Sequence, residues 1–279
     1  MANLFSHRAT KEHAMTHYLE LPGGRLAYDD EGDGPLVVCL PSMLDLRSQY
    51  RFLTPLLVAA GYRVVTLDQR GMGDSDAAWP EYGSTPLAHD LMALLRHLDA
   101  GPALVHGCSN GAGAAVYAAA EAPELISGVV LSAPFVRDGE AGLAQKLTQA
   151  LLRVPGLARP LYMSYYPKWE PKPPADFAEH RARLDASFRR PGRAKVIGAY
   201  MGMSHAEAEA RLDRVAVPAL VIMGTGDIDW PDPVAEAEWV AGRLGAEVVL
   251  LDGAGHHPHV EFPERVADAV TAFAGSLPR

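Results

Sequence analysis

Short apolar runs alternate with longer amphipathic stretches along most of this chain of 279 residues. Apolar runs rich in valine, leucine and isoleucine predict buried strands at 36–40, 62–67, 103–105, 126–131, 218–223 and 247–251. Between them lie stretches with apolar residues at helical spacing, for example at 85–98, 235–244 and 263–273. Strands that alternate with helices predict a mostly parallel sheet with helices on both faces.

The beginning of the chain departs from this alternation. The segments 18–21 and 25–28 flank the pair Gly23-Gly24, a pattern that is typical of an antiparallel hairpin. Together with the parallel strands, this hairpin predicts a sheet of eight strands.

A second departure lies between residue 135 and about residue 215, where no segment has a strand pattern. Helical stretches at 141–152, 174–189 and 194–203 surround a proline-rich segment instead. We therefore predict a core of residues 1–134 and 216–279, into which a helical lid of residues 135–215 is inserted.

The pentapeptide Gly107-Cys108-Ser109-Asn110-Gly111 follows one predicted strand and precedes a run of small residues. A G-x-S-x-G sequence between a strand and a helix forces the serine into a strained turn that exposes its hydroxyl. A β-carbon at either glycine would collide with a neighbouring element. Ser109 is therefore our candidate nucleophile.

A serine hydroxyl needs a base within hydrogen-bond distance, and the base needs a group that fixes its tautomer. Asp227 follows the strand at 218–223, and His256 follows the strand at 247–251. Because the carboxyl ends of parallel strands share one edge of the sheet, both loops can converge on Ser109. The alternatives are Asp229 for the acid, and His257 or His259 for the base.

These motifs resemble those of the α/β-hydrolase fold enzymes, over nearly the whole chain outside the predicted lid. The family's G-x-x-D turn, its G-x-G-H loop and its D-x-R-G-x-G-x-S turn match residues 224–227, 253–256 and 68–75. The resemblance implies that fold, with Ser109 as nucleophile, His256 as base and Asp227 as the orienting acid. We expect the 68–75 turn to be structural.

The resemblance also places the oxyanion hole. It implies that the backbone N–H groups of Met43 and Asn110 bind the oxyanion, although Pro41-Ser42 replaces the family's histidine-glycine pair. The side chains that we predict to contact substrate are Ser42, Tyr165, Trp169, Tyr200, Met203 and His257.

These features predict a serine hydrolase that cleaves carboxylic esters of small to medium, largely apolar substrates through an acyl-enzyme. A serine nucleophile argues against the family's dehalogenases and epoxide hydrolases, which use aspartate there. The alternatives are a lactone, thioester, amide or carbon–carbon bond as substrate, perhydrolysis, or a receptor with little turnover. The sequence Gly-Cys-Ser-x-Gly-Ala resembles the elbow of some lactone hydrolases.

No cofactor is predicted, because such a triad needs neither a metal nor a nucleotide. A metal site at His256, His257 and His259 lacks a carboxylate cluster, so we predict no metal. Cys39 and Cys108 lie in or beside apolar runs and are expected to be buried free thiols.

The formal net charge of −9 argues against nucleic acid and anionic membranes as partners. No apolar run approaches the ~20 residues of a membrane span, and the polar N-terminus lacks the apolar core of a signal peptide. We therefore expect a cytoplasmic monomer or homodimer that acts on a small-molecule ester or lactone.

Overall fold

The structure, a computed structural model, describes residues 15–139, 147, 150–154 and 156–277. In this part of the chain the strands are β1 His17–Leu21, β2 Gly24–Glu31, β3 Leu36–Leu40, β4 Arg63–Leu67, β5 Ala103–Cys108, β6 Ile126–Ser132, β7 Ala219–Gly224 and β8 Glu247–Leu251. These eight strands form one sheet, in the order β1-β2-β4-β3-β5-β6-β7-β8.

The sheet is antiparallel only where the predicted hairpin joins it. β1 pairs with β2 and β2 with β4 in antiparallel register, whereas every pair from β4 to β8 is parallel. Each residue of β3, β5 and β7 is buried, which explains why these strands are continuous apolar runs rather than alternating ones. The predicted fold class, a mostly parallel eight-stranded sheet, is confirmed.

Helices follow the strands as the sequence pattern predicts. They are α1 Leu53–Ala59, α2 Ser84–Leu98, α3 Asn110–Glu121, α4 Ala158–Tyr165, α5 Phe177–Phe188, α6 Val196–Tyr200, α7 Ala206–Glu209, α8 Pro233–Leu244, α9 Pro258–Glu261 and α10 Pro263–Ser276. Short 3₁₀ turns lie at Arg47–Tyr50, Pro123–Leu125, Tyr166–Trp169, Arg193–Lys195 and Leu212–Arg214. No helix in the described ranges is long and apolar enough to cross a bilayer.

The chain between β6 and β7 contains α4 to α7 and contributes no strand among its described residues. Most of the helix predicted at 141–152 lies outside the described residues. Aromatic side chains of α4 and α5 pack with Leu44, Leu46 and Met72, so these helices cover the loops at the carboxyl edge of the sheet. Their assignment to an inserted lid remains a prediction.

The D-x-R-G-x-G-x-S segment forms a turn whose residues do not line the cavity described below. Arg70 forms two hydrogen bonds with Asp90 at 2.7 and 2.8 Å. Gly73 has a φ of 49°, and a Cβ there would lie 1.9 Å from a carboxylate oxygen of Asp68. The turn therefore requires glycine at this position.

Two histidines are buried without charged partners beneath the carboxyl edge of the sheet. His106 on β5 forms one hydrogen bond, to Ser132 at 2.7 Å, and His259 on α9 stacks on Tyr50 at 4.4 Å. Neither ring nitrogen of His259 has a hydrogen-bond partner among the described residues. Burial lowers the pKa of His106 to about 3, and burial together with repulsion from His106 lowers the pKa of His259 well below 6.5.

These buried rings predict a loss of stability in mild acid. They stay neutral in the folded state, whereas in the unfolded chain they take up protons below pH ~6.5. The free energy of unfolding should therefore fall as the pH drops below about 6.5, by about 1.4 kcal/mol per pH unit for each ring.

Substitution of His259 tests this prediction, because His259→Phe keeps the stacking on Tyr50 and removes one titrating ring. Denaturant unfolding between pH 7 and 5 should show a smaller loss of stability for this variant than for the wild type. His89 is exposed, so His89→Gln should keep the wild-type slope. Equal slopes for His259→Phe and the wild type would contradict the prediction.

Candidate active site

Ser109 lies on a sharp turn between β5 and α3. Its backbone angles are φ 54° and ψ −118°, which a residue with a β-carbon rarely adopts. A Cβ on Gly107 would lie 2.3 Å from the carbonyl oxygen of Gly111, and a Cβ on Gly111 would lie 2.6 Å from that of Leu40. Both glycines are therefore required by close backbone contacts, as the pentapeptide predicts.

His256 and Asp227 meet at the carboxyl edge of the sheet. Because β7 and β8 are parallel neighbours, the loops that follow them lie side by side. The Nδ1 atom of His256 lies 2.8 Å from Oδ2 of Asp227, and both side chains are buried. This contact fixes the ring orientation and places a hydrogen on Nδ1, which leaves Nε2 as the basic nitrogen.

The 3₁₀ turn Tyr166–Trp169 holds the backbone of His256 from the other side. The His256 N–H donates to the carbonyl oxygen of Trp169 at 2.8 Å. A Cβ on Gly255 would lie 2.1 Å from the same oxygen. The glycine before the histidine is therefore needed because another backbone passes against it.

The charges around His256 favour its protonated form. Burial by itself would lower the pKa of the ring, but Asp227 and Asp229 outweigh it and raise the pKa to about 9. Burial of Asp227 raises its pKa, but the neighbouring His256 brings the net pKa below its usual range. The carboxylate of Asp227 therefore stabilises a positive charge on the ring through this hydrogen bond.

Asp229, the alternative acid, lies in the same site and has other partners. Its Oδ2 is 3.7 Å from Nδ1 of His256 but accepts a hydrogen bond from the indole of Trp169 at 2.8 Å. Its own N–H donates to Asp227 at 3.0 Å. Burial raises the pKa of Asp229. Of the two carboxylates, Asp227 has the shorter contact with the ring.

Asp227, Asp229 and His256 also form the only group of potential metal ligands that the described ranges contain. One ligand atom from each lies within 4.8 Å of the others. The hydrogen bond between Nδ1 and Asp227 occupies two of these atoms, so a metal ion would have to displace it.

Ser109 and His256 face one cavity of about 300 Å³. Among the described residues, no hydrogen bond within 3.5 Å joins the Ser109 hydroxyl to the imidazole; such contacts often shorten only when substrate binds. The cavity is lined by Ser42, Met43, Ser109, Phe135, Arg137, Asp138, Gly139, Arg153, Trp169, Tyr200, Met201, Met203, His205, Asp229, His256 and His257.

Most of the predicted substrate contacts line this cavity. Ser42, Trp169, Tyr200, Met203 and His257 do so. Tyr165 does not, because its ring packs edge-on against Trp169 and its hydroxyl points to Asp229 at 3.5 Å. Phe135, Arg137, Asp138, Arg153 and His205 line the cavity without having been predicted, since no motif marks them.

The loop after β3 presents Met43 to the cavity next to a strained residue. Leu44 is buried with a φ of 62°, a conformation that usually favours glycine. Asn110 is buried at the start of α3. The backbone N–H groups of Met43 and Asn110 have no acceptor among the described residues, so both are free to bind an anion.

Gln69 positions this loop, a role that the sequence did not reveal. Its amide nitrogen donates to the carbonyl oxygens of Pro41 and Ser42 at 2.6 and 2.8 Å. Its amide oxygen accepts from the Asn110 side chain at 3.1 Å and from the Tyr200 hydroxyl at 3.3 Å. One buried amide thus connects the loop after β3, the start of α3 and the helices above them.

Comparison with known proteins agrees with this architecture. A model of the alpha/beta hydrolase family matches residues 37–269. The chain is 29% identical over 274 residues to "Putative non-heme bromoperoxidase BpoC" of Mycobacterium tuberculosis, covering 90% of this chain and 98% of that protein. It is 27% identical over 212 residues to 3-oxoadipate enol-lactonase 2 of Acinetobacter baylyi, covering 76% of this chain and 78% of the relative.

The crystal structure of a hydrolase from Pseudomonas aeruginosa PA01 superimposes with a TM-score of 0.78 at 27% identity, covering 94% of this chain and 98% of the other. The family match spans most of the sheet and the loops that form the cavity. The chain therefore belongs to the alpha/beta hydrolase family, and it is an enzyme of the hydrolase class.

The charge arrangement predicts how the His256 ring titrates. Its imidazole should lose its proton near pH 9, and Asp229→Asn should lower that pKa by about one unit because a carboxylate near the ring is removed. Nitrogen-15 NMR of the histidine rings measures both values.

Asp252→Asn is the matched control, since this exposed carboxylate follows β8 without an ion pair to His256. It should leave the titration unchanged. A wild-type ring that titrates near pH 6.5, or an unchanged pKa in Asp229→Asn, would contradict the electrostatic account.

Proposed function

We propose that this enzyme hydrolyses carboxylic esters of small, largely apolar molecules through an acyl-enzyme. The observation that carries the proposal is that Ser109, on its strained turn, and His256, in a buried pair with Asp227, line the same cavity. A carbonyl compound bound in this cavity meets a serine hydroxyl, a base and two free backbone N–H groups.

Each residue has a defined role in this proposal. The Ser109 oxygen attacks the carbonyl carbon while Nε2 of His256 takes its proton, and the protonated ring then donates that proton to the leaving alcohol. Asp227 stabilises the positively charged ring through the hydrogen bond at Nδ1. The N–H groups of Met43 and Asn110 stabilise the oxyanion. Water then attacks the acyl-enzyme in the reverse sequence and releases the acid.

The cavity supports small substrates with an apolar part. Its lining includes Phe135, Trp169, Met201 and Met203, and its volume of about 300 Å³ is at the low end for ligand pockets. The raised pKa of His256 leads us to expect turnover to increase toward alkaline pH, because the free enzyme needs a neutral Nε2 as its base.

A lactone is the second candidate substrate, because a lactone is a cyclic ester that the same groups can open. The similarity to 3-oxoadipate enol-lactonase 2 favours this candidate. In ring opening the alcohol stays attached to the acyl-enzyme, and water must still release it from Ser109. A panel of p-nitrophenyl esters and simple lactones distinguishes the two preferences by kcat/KM.

Removal of the proposed nucleophile tests the function directly. Ser109→Ala should reduce turnover of p-nitrophenyl acetate at least 10⁴-fold, by analogy with triads in general, and should abolish labelling by a fluorophosphonate. Unchanged circular dichroism shows that the variant is folded.

The control is Ser132→Ala, which changes a buried serine of β6 outside the cavity lining. It should keep wild-type turnover and labelling. Turnover by Ser109→Ala at the wild-type rate would show that Ser109 is not the nucleophile.

A further inference from the structure

A second hydrogen-bonded group of serine, histidine and carboxylate lies beside the Ser109 site. The Ser42 hydroxyl oxygen is 3.1 Å from Nε2 of His257, and Nδ1 of His257 is 3.0 Å from Oε1 of Glu170. Ser42 and His257 line the cavity, whereas Glu170 is buried behind them at the end of the 3₁₀ turn Tyr166–Trp169. The proposed function gives no role to these three side chains.

Gln49 determines what the Ser42 oxygen accepts. The amide nitrogen of Gln49 is 2.7 Å from Oδ2 of Asp45 and 2.8 Å from the Ser42 hydroxyl, and its amide oxygen accepts from the Ser42 N–H at 3.0 Å. Asp45 is fully buried, and His180 keeps its pKa below the usual range against the effect of burial. Because the ionised carboxylate only accepts, the nitrogen of Gln49 must face it. Gln49 therefore donates to the Ser42 oxygen.

Glu170 determines whether Nε2 of His257 carries hydrogen. Glu170 as a whole is 3% exposed, and its Oε2 atom has no hydrogen-bond partner among the described residues. A buried carboxylate with one bare oxygen is costly unless it is neutralised or lies against a cation. In both cases hydrogen is on Nε2 of His257, because Nδ1 either donates to the carboxylate or accepts from the neutral acid. Nε2 then donates to the Ser42 oxygen.

Two donors occupy both lone pairs of the Ser42 oxygen, so its own hydrogen is the only group left for other contacts. Because His257 and Gln49 lie against the Ser42 oxygen on its buried sides, this hydrogen points toward the cavity that Ser42 lines. Ser42 directly precedes Met43, whose N–H is one of the two proposed oxyanion donors. Both residues line the cavity, so the hydroxyl lies beside the N–H that the proposed function assigns to the oxyanion.

We propose that the Ser42 hydroxyl is a third hydrogen-bond donor to the acyl oxygen of the substrate, and that His257 and Glu170 are positioning residues that hold it as a donor. This inference rests on the proposed function, since it adds a donor to the oxyanion of the Ser109 reaction. It also gives a chemical reason for serine where the family's histidine-glycine pair has glycine.

The rate of Ser109 phosphonylation by a fluorophosphonate tests the inference without knowledge of the natural substrate. Loss of one oxyanion donor costs roughly 100- to 1,000-fold at a backbone or amide position, so we expect Ser42→Ala to lower this rate constant at least about tenfold. Glu170→Gln should lower it as well, because the neutral amide accepts from Nδ1 without requiring a hydrogen on Nε2, so Ser42 loses its donor from Nε2.

The rate losses of Ser42→Ala and Glu170→Gln, measured alone and combined, distinguish a positioning role for Glu170 from general damage to the structure. In the Ser42→Ala background, Glu170→Gln should cause no further loss, since Glu170 acts only through the hydroxyl that is already absent. Ser132→Ala is the matched control, because it also removes a buried serine hydroxyl bonded to a histidine ring, at 2.7 Å, but outside the cavity lining. It should keep the wild-type rate.

The outcomes for this inference and for the proposed function are distinct. If Ser109→Ala abolishes labelling while Ser42→Ala reacts at the wild-type rate, the third donor is wrong and the proposed function stands. If the losses in Ser42→Ala and Glu170→Gln multiply in the double variant, Glu170 does not act through Ser42. If Ser109→Ala is still labelled, the proposed function itself is wrong.

Discussion

The strained backbone of Ser109 is the constraint on which the rest of the site depends. Ser109 is held at φ 54° because it is the single residue between the end of β5 and the start of α3. The glycines on either side of it allow the neighbouring backbones to approach closely. This turn directs one hydroxyl out of the sheet and leaves the N–H of Asn110, the first residue of α3, without an acceptor among the described residues. The turn places the Ser109 side chain in the cavity that His256 and Asp229 also line.

The second determinant is the cover formed by the helices between β6 and β7. Their contacts with the core are polar as well as apolar: Tyr162 donates to the carbonyl oxygen of Met43 at 3.1 Å, and Tyr166 donates to Asp45 at 2.7 Å. The carbonyl of Trp169 holds the backbone of His256, and its indole holds Asp229. The cover thus positions both the loop after β3 and the backbone of His256, in addition to enclosing the cavity.

The sequence predicted the sheet and the residues at its edge because both follow from local patterns. Continuous apolar runs mark strands that are buried on both faces, and the spacing of glycines around Ser109 and His256 reflects backbone contacts that the structure contains. The sequence did not predict the positioning contacts of Gln69 and Glu170, or that Tyr165 lies outside the cavity lining. Those features depend on contacts such as the one between Gln69 and Tyr200, 131 positions apart, which no local spacing encodes.

The most direct test of the central claim is a crystal structure of the enzyme after reaction with a small fluorophosphonate. The account predicts phosphorus bonded to the Ser109 oxygen, a phosphoryl oxygen within about 3.1 Å of the nitrogen atoms of Met43 and Asn110, and Nε2 of His256 in hydrogen-bond distance of the phosphonate. An adduct on another residue would contradict it, as would a phosphoryl oxygen directed away from both N–H groups.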